Sequence, residues 1–430
     1  MSFHISAQQS EYKFINFSSK NGLASNSVNT ILKDKNGFMW FGTEDGLNKF
    51  DGQKFIAYRH SDRDTTTIGR GPVLAMTLDK NKNIWLATNL TLSLYNLDFD
   101  SFINFNFSKY GWIINIFADK EGFIWVGTYS GLFKLDPITK KITAYKADKS
   151  NKYKLKSNVV RAIFEDSKNN FWVGTEEGLH LFDRKNNRFN RYIDSNNSDK
   201  ISDNHITCIS EDQKGNIWVG TNQGGINLMK GRKNSFLTYK SLSNDPNTLS
   251  SNRIHKIVAD KTGLLWIGTE SNLDILNPSS GKVTRVKSTL LEQNGFTPNP
   301  VGRSVRDIYI DNAGIYWIAF FQAGINKYDT NLAIFNHKQF RPFDPNGLSG
   351  SSVMSFAEGP SGEIFIGSEG TGLDIFNRNS GQIKRFNLPK PQANHSSIIA
   401  LECVGSSLWV GTYQAGLFKI DLATGASKYF

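Results

Sequence analysis

Short runs of alternating apolar and polar residues, separated by Gly, Asn and Asp, extend along the whole chain. Runs of this kind predict short β-strands joined by tight turns. No segment keeps a 3.6-residue hydrophobic period, so a solenoid of helical repeats is excluded. One stretch with four consecutive runs is formed by Val159–Phe164, Phe171–Thr175, Leu179–Asp183 and Arg188–Tyr192. The pattern as a whole predicts an all-β protein.

A four-residue core of Trp, an aliphatic residue, a small residue and Thr recurs along the chain. It stands intact at residues 40–43, 85–88, 125–128, 172–175, 218–221, 266–269 and 409–412, and in altered form at 317–320 and 365–368. Eight of the nine tryptophans belong to it, and Trp112 is the exception. Because successive cores are on average about 46 residues apart, the chain is expected to fold as a β-propeller of nine four-stranded blade repeats.

An Asp-x-x-Gly turn precedes the core in five repeats, beginning at Asp34, Asp119, Asp212, Asp260 and Asp311. Asp accepts hydrogen bonds from backbone two residues on and Gly adopts positive φ, so a structural role suffices. Calcium binding is not expected, because it needs several oxygen ligands close together. The repeated Trp is expected to pack between neighbouring blades, and the Gly after it to allow close approach of two sheets.

A second motif, an aliphatic residue followed by Ser and Asn, stands before the first strand of several repeats. Copies lie at residues 23–28, 155–160, 201–206 and 249–254, with a weaker copy at 348–353. We expect its Ser and Asn side chains to bond local backbone. The longest loops carry this motif or lie beside it, at residues 61–71, 148–157, 242–251 and 291–302. All of these loops are expected on one face of the ring.

Composition and charge narrow the function classes. Aromatic residues make up 13% of the 430 positions, which excludes disorder for most of the chain. The formal net charge of +11 is spread along the sequence without a basic block, which is compatible with an anionic partner. Cys208 and Cys403 are too few and too far apart for a disulfide framework or a metal motif. No run of 18 apolar residues predicts a membrane span.

Catalytic motifs are missing from the sequence. The seven histidines are scattered and none has a metal-binding spacing, so no metal and no cofactor are expected. Asp307 is a candidate inner-strand carboxylate, but glycoside hydrolysis needs a pair of carboxylates. The chain itself is therefore not expected to be an enzyme.

Binding is better supported than catalysis. Basic residues expected around one mouth of the ring are Arg70, Arg161, Arg253, His255, Arg303 and Arg306. Several such groups would focus a positive field on the funnel, and Arg forms bidentate bonds to carboxylate or sulfate. Trp112, with Tyr110, Tyr129 and Tyr413, could offer flat faces to a sugar ring. These residues make an oligosaccharide, an acidic one among the candidates, the expected ligand.

The linked motif Asp-x-x-Gly-x-(Ile/Leu)-Trp-(Val/Ile)-Gly-Thr-x-x-Gly-(Leu/Ile) resembles the two-component regulator propeller repeat. The resemblance covers about residues 12–430 and is specific, because nine linked copies carry it. It implies the periplasmic sensor region of a hybrid two-component histidine kinase, a family found mainly in gut Bacteroidetes. There the sensor region has two seven-bladed propellers, a β-sandwich and a membrane helix, followed by cytoplasmic kinase, receiver and DNA-binding parts. The usual ligands are oligosaccharides from dietary or host glycans.

The chain departs from this plan, because it has nine units and no β-sandwich, membrane helix, kinase, receiver or helix-turn-helix segment. We therefore expect a fragment, with residues 12–335 as a complete seven-bladed propeller and residues 336–430 as the first two blades of a second. Residues 1–11 are expected to be a residual signal-peptide tail or a disordered N-terminus. The alternative is a single nine-bladed ring, which exceeds the usual four to eight blades.

Residues 12–17 resemble the fourth strand of a blade that lacks its first three. We predict that they complete the seventh blade, formed otherwise by Val305–Asp329. In a nine-bladed ring they would instead compete with residues 426–430 for one position. Closure matters because an open ring exposes sheet edges.

The sequence is compatible with three functions. The first is a periplasmic sensor that recognises a glycan-derived oligosaccharide and signals through parts absent from this chain. The second is a protein-interaction propeller without a small ligand, and the third is a propeller glycosidase or lyase. The resemblance further implies a homodimer in the full-length receptor and contact with the membrane only through a missing downstream helix. No nucleic-acid binding by this segment is expected.

Overall fold

Turn-forming residues at the ends of the apolar runs divide the described part of the chain into 36 short strands. The computed structural model describes residues 12, 14–192, 200–230, 235–286, 304–331, 340, 347–378, 380–388 and 395–430. Within these ranges the helical segments are two single 3-10 turns, Ser19–Asn21 and Ser108–Tyr110. The predicted all-β class is confirmed. Over the same ranges, no helix is long and apolar enough to cross a membrane.

The chain divides into two compact units, residues 1–332 and residues 333–430. The first unit contains seven four-stranded antiparallel sheets, which are its blades. Blade 1 is formed by β2 (Val28–Lys33), β3 (Met39–Thr43), β4 (Gly46–Phe50) and β5 (Phe55–Tyr58). Blade 2 is formed by β6 (Ala75–Leu78), β7 (Ile84–Ala87), β8 (Thr91–Asn96) and β9 (Ser101–Asn106). Blade 3 is formed by β10 (Ile113–Ala118), β11 (Ile124–Thr128), β12 (Gly131–Leu135) and β13 (Ile142–Tyr145).

The next three blades repeat the same order of strands, from the inner strand outwards. Blade 4 is formed by β14 (Val160–Glu165), β15 (Phe171–Thr175), β16 (Gly178–Asp183) and β17 (Arg188–Tyr192). Blade 5 is formed by β18 (Ile206–Glu211), β19 (Ile217–Thr221), β20 (Ile226–Lys230) and β21 (Ser235–Tyr239). Blade 6 is formed by β22 (Ile254–Ala259), β23 (Leu265–Thr269), β24 (Leu273–Leu276) and β25 (Val283–Arg285).

Blade 7 takes its strands from both ends of the unit. It is formed by β26 (Val305–Ile310), β27 (Ile315–Phe320), β28 (Ile325–Asp329) and, as its outer strand, β1 (Ile15–Phe17). The pairing of β1 with β28 runs from Ile15 opposite Lys327 to Phe17 opposite Ile325. The predicted N-terminal closure of the seventh blade is therefore confirmed.

The first unit is a closed ring of seven blades. Each inner strand packs against the inner strand of the next blade, and β26 of blade 7 packs against β2 of blade 1. This closure supports a seven-bladed ring followed by further blades, and not a single ring of nine. The predicted domain ends at residues 335 and 336 lie outside the described residues and stay predictions.

The second unit contains two more blades of the same kind. One is formed by β29 (Val353–Glu358), β30 (Ile364–Ser368), β31 (Gly372–Phe376) and β32 (Ile383–Phe386). The other is formed by β33 (Ile398–Val404), β34 (Ser407–Thr412), β35 (Leu417–Asp421) and β36 (Ser427–Tyr429). Phe365 of the first and Phe418 of the second lie in one shared hydrophobic layer between the two sheets.

The repeated tryptophans pack between neighbouring blades, as expected. Trp40 of blade 1 shares a buried layer with Val73 and Ile84 of blade 2, and the same arrangement recurs around the ring. In blade 1 and in blades 3 to 6, the glycine two residues after the Trp lets the next blade approach closely. A Cβ atom added to Gly42 would lie 2.7 Å from Val73 Cγ1, which no folded protein tolerates without a shift.

The turn aspartates hold both the turn and the tryptophan. In blade 4, Asp166 Oδ1 accepts hydrogen bonds from the backbone N–H groups of Lys168 and Asn170, at 3.0 and 2.8 Å. Its other oxygen, Oδ2, accepts from Trp172 Nε1 at 2.9 Å. The same Asp–Trp bond is present in blades 1 to 6, at distances from 2.7 to 3.2 Å. The bond from Asp to the indole was not anticipated from the sequence.

The Asp–Trp bond does not depend on the glycine of the turn. Blades 2 and 4 have Lys82 and Asn169 at the glycine position, with φ of 64° and 65°. Both blades still form the bond to the tryptophan. Asn tolerates this left-handed conformation better than most residues, and Lys accepts some strain there.

A polar side chain is buried at the second or third position of the third strand in several blades. Asn48 Oδ1 accepts from Ala24 N at 2.9 Å, and Asp274 Oδ2 accepts from Ser250 N at 2.7 Å. This contact fixes the loop that leads into the inner strand. In blade 4 the position is occupied by His180, which is fully buried. Its ring nitrogens lie near the backbone of Gly178 and Val173, but neither forms a hydrogen bond of good geometry among the described residues.

We predict that Asp166→Ala lowers the free energy of unfolding by roughly 2–3 kcal/mol, because it leaves the buried Trp172 N–H without an acceptor. The measurement is urea denaturation of the whole chain followed by fluorescence. The matched control is Asp136→Ala, which removes a partly exposed aspartate that caps a turn through backbone N–H groups and the Thr139 hydroxyl and holds no indole. Its loss of stability is expected to be clearly smaller. Equal losses in the two variants would show that the indole bond contributes nothing.

His180 is expected to make the stability of the chain depend on pH. Burial lowers the pKa of His180 to about 4, and the charge of Arg191 acts in the same direction. The neutral ring is therefore favoured in the folded state, so stability is complete above pH 6.5 and falls as the pH drops toward 4. The loss over this range is expected to be about 3 kcal/mol. Below pH 4 the folded protein also takes up the proton, and this contribution to the pH dependence ends.

The test of the acid effect is His180→Asn, because Asn occupies the corresponding position in blades 1, 5 and 7. Denaturation at several pH values between 4 and 7 should show a shallower loss of stability in this variant than in the unchanged chain. Substitution of the exposed His395 by Asn controls for the removal of a histidine as such. If the pH dependence of the His180→Asn variant matches that of the unchanged chain, His180 is not the group responsible.

Candidate functional site

The inner strands of the first unit enclose a central cavity of about 880 Å³. All seven blades contribute residues to its lining. This volume falls within the usual range for pockets that bind small ligands. The cavity is therefore the place in this unit where a ligand would meet side chains from the largest number of blades.

A β-bulge near the start of the inner strand shapes one end of the cavity. In six blades the pairing of the first and second strands skips one residue, which is left unpaired. A bulge of this kind redirects the side chain of the extra residue. The skipped residues all line the cavity, and they are Asn29, Ile114, Arg161, Thr207, His255 and Arg306.

A repeated backbone hydrogen bond brings a second set of side chains to the same end. The residue after the Trp-x-Gly-Thr core donates its N–H to the carbonyl of the residue before the inner strand. Glu176 donates to Val159 at 3.3 Å, and Glu270 donates to Arg253 at 3.0 Å. The bond recurs in blades 1, 3, 5 and 7. The turn between the second and third strands is thus held beside the bulge in each of these blades.

We call this end of the cavity the mouth, defined by Asn29, Asn89, Trp112, Tyr129, Arg161, His205, Asn222, Arg253, His255 and Arg306. Of the predicted ligand-binding residues, five line the mouth: Trp112, Arg161, Arg253, His255 and Arg306. Arg70 is exposed and is not among the lining residues. Arg303 lies outside the described residues. The mouth therefore unites most of the predicted set.

The three tyrosines considered with Trp112 have separate positions. Tyr129 lines the mouth and is 48% exposed. Tyr110 packs instead against Phe107 and Phe133 in the core between blades 2 and 3. Tyr413 belongs to the second unit, where it is exposed. Only Tyr129 of the three therefore joins Trp112 at the mouth.

Carboxylates hold the basic residues in place from the neighbouring turns. Glu176 Oε1 accepts from Arg161 Nε and Nη2 at 3.1 and 2.8 Å. Glu270 Oε2 accepts from His255 Nε2 at 2.7 Å. Both glutamates directly follow a Trp-x-Gly-Thr core, and the residue after each core is the sequence signal that would have identified them. These carboxylate partners of the cations were not anticipated from the sequence.

The charges at the mouth follow from these contacts. Burial lowers the pKa of His255, and the nearby Arg306 and Arg253 add to the effect despite the hydrogen bond to Glu270. Burial and the charge of Arg161 likewise lower the pKa of His205. Both histidines are therefore neutral at pH 7. Although burial alone would raise the pKa of Glu270, its bond to His255 and the neighbouring arginines lower it, so Glu270 is ionised.

Aromatic faces complete the mouth. Trp112 is 58% exposed, in contrast to the buried tryptophans of the repeats in blades 1 to 6. Tyr129 lies beside it, because its backbone N–H donates to the carbonyl of Trp112 at 3.1 Å. The Arg161 guanidinium is 5.6 Å from the centre of the Tyr129 ring. On blade 7, the Arg306 guanidinium lies 5.0 Å from the centre of the Phe321 ring.

Deeper in the cavity, Asp307 is engaged in structural contacts. Its Oδ2 accepts from the backbone N–H of Ile31 in blade 1 at 2.8 Å. Its Oδ1 lies 2.8 Å from Lys256 Nζ of blade 6 and raises the pKa of that amine. One carboxylate thus connects three consecutive blades. The candidate for acid–base chemistry is tied to the backbone and to a lysine, and among the described residues no second carboxylate partners it.

No metal centre is present in the part of the chain that the structure describes. There, no three His, Cys, Asp or Glu side chains are grouped closely enough to hold an ion. Cys208 also lines the cavity, and burial raises the pKa of its thiol to about 11. The described residues of the cavity can therefore contact a ligand through hydrogen bonds, ion pairs and aromatic rings.

Comparison with known proteins identifies the repeats. Five segments match the family described as two-component regulator propeller, at residues 22–45, 109–130, 154–177, 200–223 and 248–271. A protein named Histidine kinase P4, from Formosa agariphila, is 44% identical over 68 residues. That match covers 16% of this chain and 5% of the relative.

Solved structures share the architecture. The extracellular domain of a hybrid two-component system from B. thetaiotaomicron is 25% identical, with a TM-score of 0.70, over 97% of this chain. The chain spans 60% of that domain's length. A virginiamycin B lyase from Staphylococcus aureus is 12% identical over 74% of this chain and 98% of its own, with a TM-score of 0.55. The second likeness shows a shared fold alone.

The position of Asp307 generates a prediction about stability. We expect Asp307→Asn to cost about 1–2 kcal/mol, because it leaves the Lys256 amine in the cavity without its counter-charge. The combined variant with Lys256→Met should recover part of this loss, since neither charge then stands alone. Chemical denaturation of both single variants and the double variant measures the coupling between the two residues. An unchanged stability of the Asp307→Asn variant would contradict the structural role.

Proposed function

We propose that this chain, which belongs to the two-component regulator propeller family, is the ligand-binding sensor region of a hybrid two-component histidine kinase. In this proposal the ligand is a glycan-derived oligosaccharide, bound at the mouth of the first propeller. The family repeats and the likeness to an extracellular domain of a hybrid two-component system support the sensor role. The observation that carries the ligand class is the chemistry of the mouth.

The mouth combines the two features that sugar recognition uses. Exposed faces of Trp112 and Tyr129 can cover the apolar C–H face of a sugar ring, and aromatic contact area contributes strongly to binding. Around them stand amide, imidazole and guanidinium groups, which match the donor and acceptor pattern of sugar hydroxyls. Two of these groups, Arg161 and His255, are already oriented by bonds to Glu176 and Glu270. A site with oriented groups loses less freedom when a ligand binds.

The proposed sensor role also implies a location and partners for the protein. The sensor lies in the periplasm, and a membrane helix and a kinase encoded beyond this chain carry the signal inward. The full-length receptor acts as a homodimer, and this segment binds no nucleic acid. The ligand can shift the receptor between two states only by the difference in its affinity for them.

The prediction is that an oligosaccharide raises the melting temperature of the chain. At a concentration of about 100 times its dissociation constant, a ligand adds roughly 2.7 kcal/mol to stability. The screen uses neutral and acidic oligosaccharides at low and moderate salt. Trp112→Ala is expected to remove the shift without unfolding the protein, because the side chain is largely exposed. Phe99→Ala, at another exposed aromatic residue that does not line the cavity, is the matched control.

Two results would count against this function. If no oligosaccharide shifts the melting temperature, the chain is a protein-interaction propeller and the mouth is not a sugar site. If a sugar is bound and cleaved during long incubation, the chain is an enzyme. Product analysis by mass spectrometry separates cleavage from binding. A shift that survives in the Trp112→Ala variant would place the site elsewhere on the chain.

A further inference from the structure

The two opposite sides of the mouth differ in chemistry. Blade 3 supplies the exposed aromatic residues Trp112 and Tyr129, whereas blades 6 and 7 supply Arg253 and Arg306. The blades follow one another in order around a closed ring of seven. In such a ring, the junction between blades 6 and 7 lies opposite blade 3. The aromatic side and this arginine pair therefore face each other across the mouth.

The two arginines have hydrogen-bonding capacity left over. Arg306 Nε is buried and has no hydrogen-bond partner among the described residues. Arg253 Nη1 lies 3.9 Å from Glu270 Oε2, which is too long for a hydrogen bond. The same Glu270 oxygen is already bonded to His255 at 2.7 Å. The carboxylate beside Arg253 is thus already bonded to His255, and among the described residues Arg306 forms no ion pair.

Arg161, on the other side of the mouth, is a useful contrast. Its Nε and Nη2 both donate to Glu176 Oε1, so its charge is matched by a close partner. Asn29 and Asn222 line the remaining parts of the ring and are uncharged, and Asn29 donates to Oε1 of the exposed Glu44 at 3.1 Å. The guanidinium groups of the described mouth that have no carboxylate within hydrogen-bond distance are therefore concentrated at the junction of blades 6 and 7.

We infer that the ligand is an oligosaccharide with an anionic group, which lies across the mouth in one orientation. The inference rests on the proposed function and adds the class and the direction of the sugar. The anionic group, a carboxylate or a sulfate, is held by Arg253 and Arg306. A sugar ring further along the ligand stacks against Trp112 and Tyr129. The planar guanidinium suits bidentate bonds to either kind of anion.

The spacing of the two subsites also sets a lower limit on ligand size. Because the two subsites lie on opposite sides of a ring of seven blades, we expect that a single sugar placed against Trp112 does not reach the arginines. A monosaccharide acid therefore engages either the aromatic side or the arginines, and binds weakly. An oligosaccharide engages both, and the two contacts share the entropy cost of one association.

The first experiment compares ligands that differ only in charge. Calorimetry measures the affinity of trigalacturonate and of its fully methyl-esterified form, which is neutral. A sulfated galactose tetrasaccharide and its desulfated form make up the second pair, and oligomers of mannuronate and glucuronate extend the panel. At low salt, an acidic ligand is expected to bind at least about tenfold more tightly than its neutral counterpart. The advantage should shrink as salt is added. Which pair responds distinguishes carboxylate from sulfate.

The second experiment locates the charge effect. Arg253→Gln and Arg306→Gln, alone and together, are expected to reduce the preference for the acidic member of a pair by about tenfold or more. Arg306→Lys keeps the charge without the fork and should have an intermediate effect. Arg70→Gln is the matched control, because it removes a cation that does not line the cavity. Melting temperatures without ligand confirm that each variant is folded.

The orientation has its own readout. Trp112→Ala should weaken the acidic and the neutral form by the same factor, leaving their ratio unchanged. Because Trp112 and Arg306 contact different ends of the ligand, the effects of Trp112→Ala and Arg306→Gln are expected to be additive. Strong coupling between them would overturn the extended orientation.

The outcomes separate this inference from the proposed function. If neutral oligosaccharides bind as tightly as acidic ones and depend on Trp112 but not on the arginines, the sensor function stands and the anionic ligand is wrong. The anionic ligand is also wrong if the Arg253→Gln and Arg306→Gln double variant keeps full affinity for an acidic sugar. If no sugar of the panel binds, both proposals fail.

Discussion

The bond between the turn aspartate and the indole of the next strand underlies the arrangement of the ring. In blade 4, Asp166 closes the turn with one oxygen and orients Trp172 with the other. The oriented indole forms part of the layer on which blade 5 packs. A local turn and a contact between sheets are therefore specified by one carboxylate. Because the same bond forms in six blades, repetition of one sequence motif specifies much of the packing between the blades of the ring.

Most of the fold could be predicted from the sequence because the repeat consists of residues with narrow structural roles. Gly at close sheet contacts, Asp at turns and Trp between blades leave few alternative folds. Even the closing strand β1 was predictable, since it resembles a fourth strand without its blade. The Asp–Trp bond itself was missed, because a periodic pattern shows which residues recur but not which atoms meet. His180 was missed for a related reason, because its burial depends on the strand register of one blade.

The mouth was only partly predictable. The inner-strand positions of Arg161, His255 and Arg306 followed from the repeat, but the bulge that turns them into the cavity does not show in a single sequence. Glu176 and Glu270 were overlooked because they lie in a different strand connection from the cations they hold. Because of these contacts, the mouth is not the uniformly basic funnel that was expected. Arg161 is paired closely with Glu176, whereas Arg253 has no carboxylate within hydrogen-bond distance. The net charge of a sequence does not show which arginines have a carboxylate partner, because these contacts form only when the blades are assembled.

The ring is closed by noncovalent pairing within blade 7, where β1 lies beside β28, and the contacts of this blade with blade 1 reinforce that closure. Blade 7 keeps its turn aspartate, Asp311, but the second oxygen of this residue binds Lys33 of blade 1 at 2.9 Å. Asp307 reaches the same inner strand of blade 1 through the backbone of Ile31. In blade 7, the carboxylate oxygen that holds a tryptophan in blades 1 to 6 is thus redirected to blade 1. Arg306 lies between Val305 and Asp307 in the inner strand of blade 7, so a ligand held by this arginine would add its own contacts to the blade whose closure depends most on noncovalent bonds.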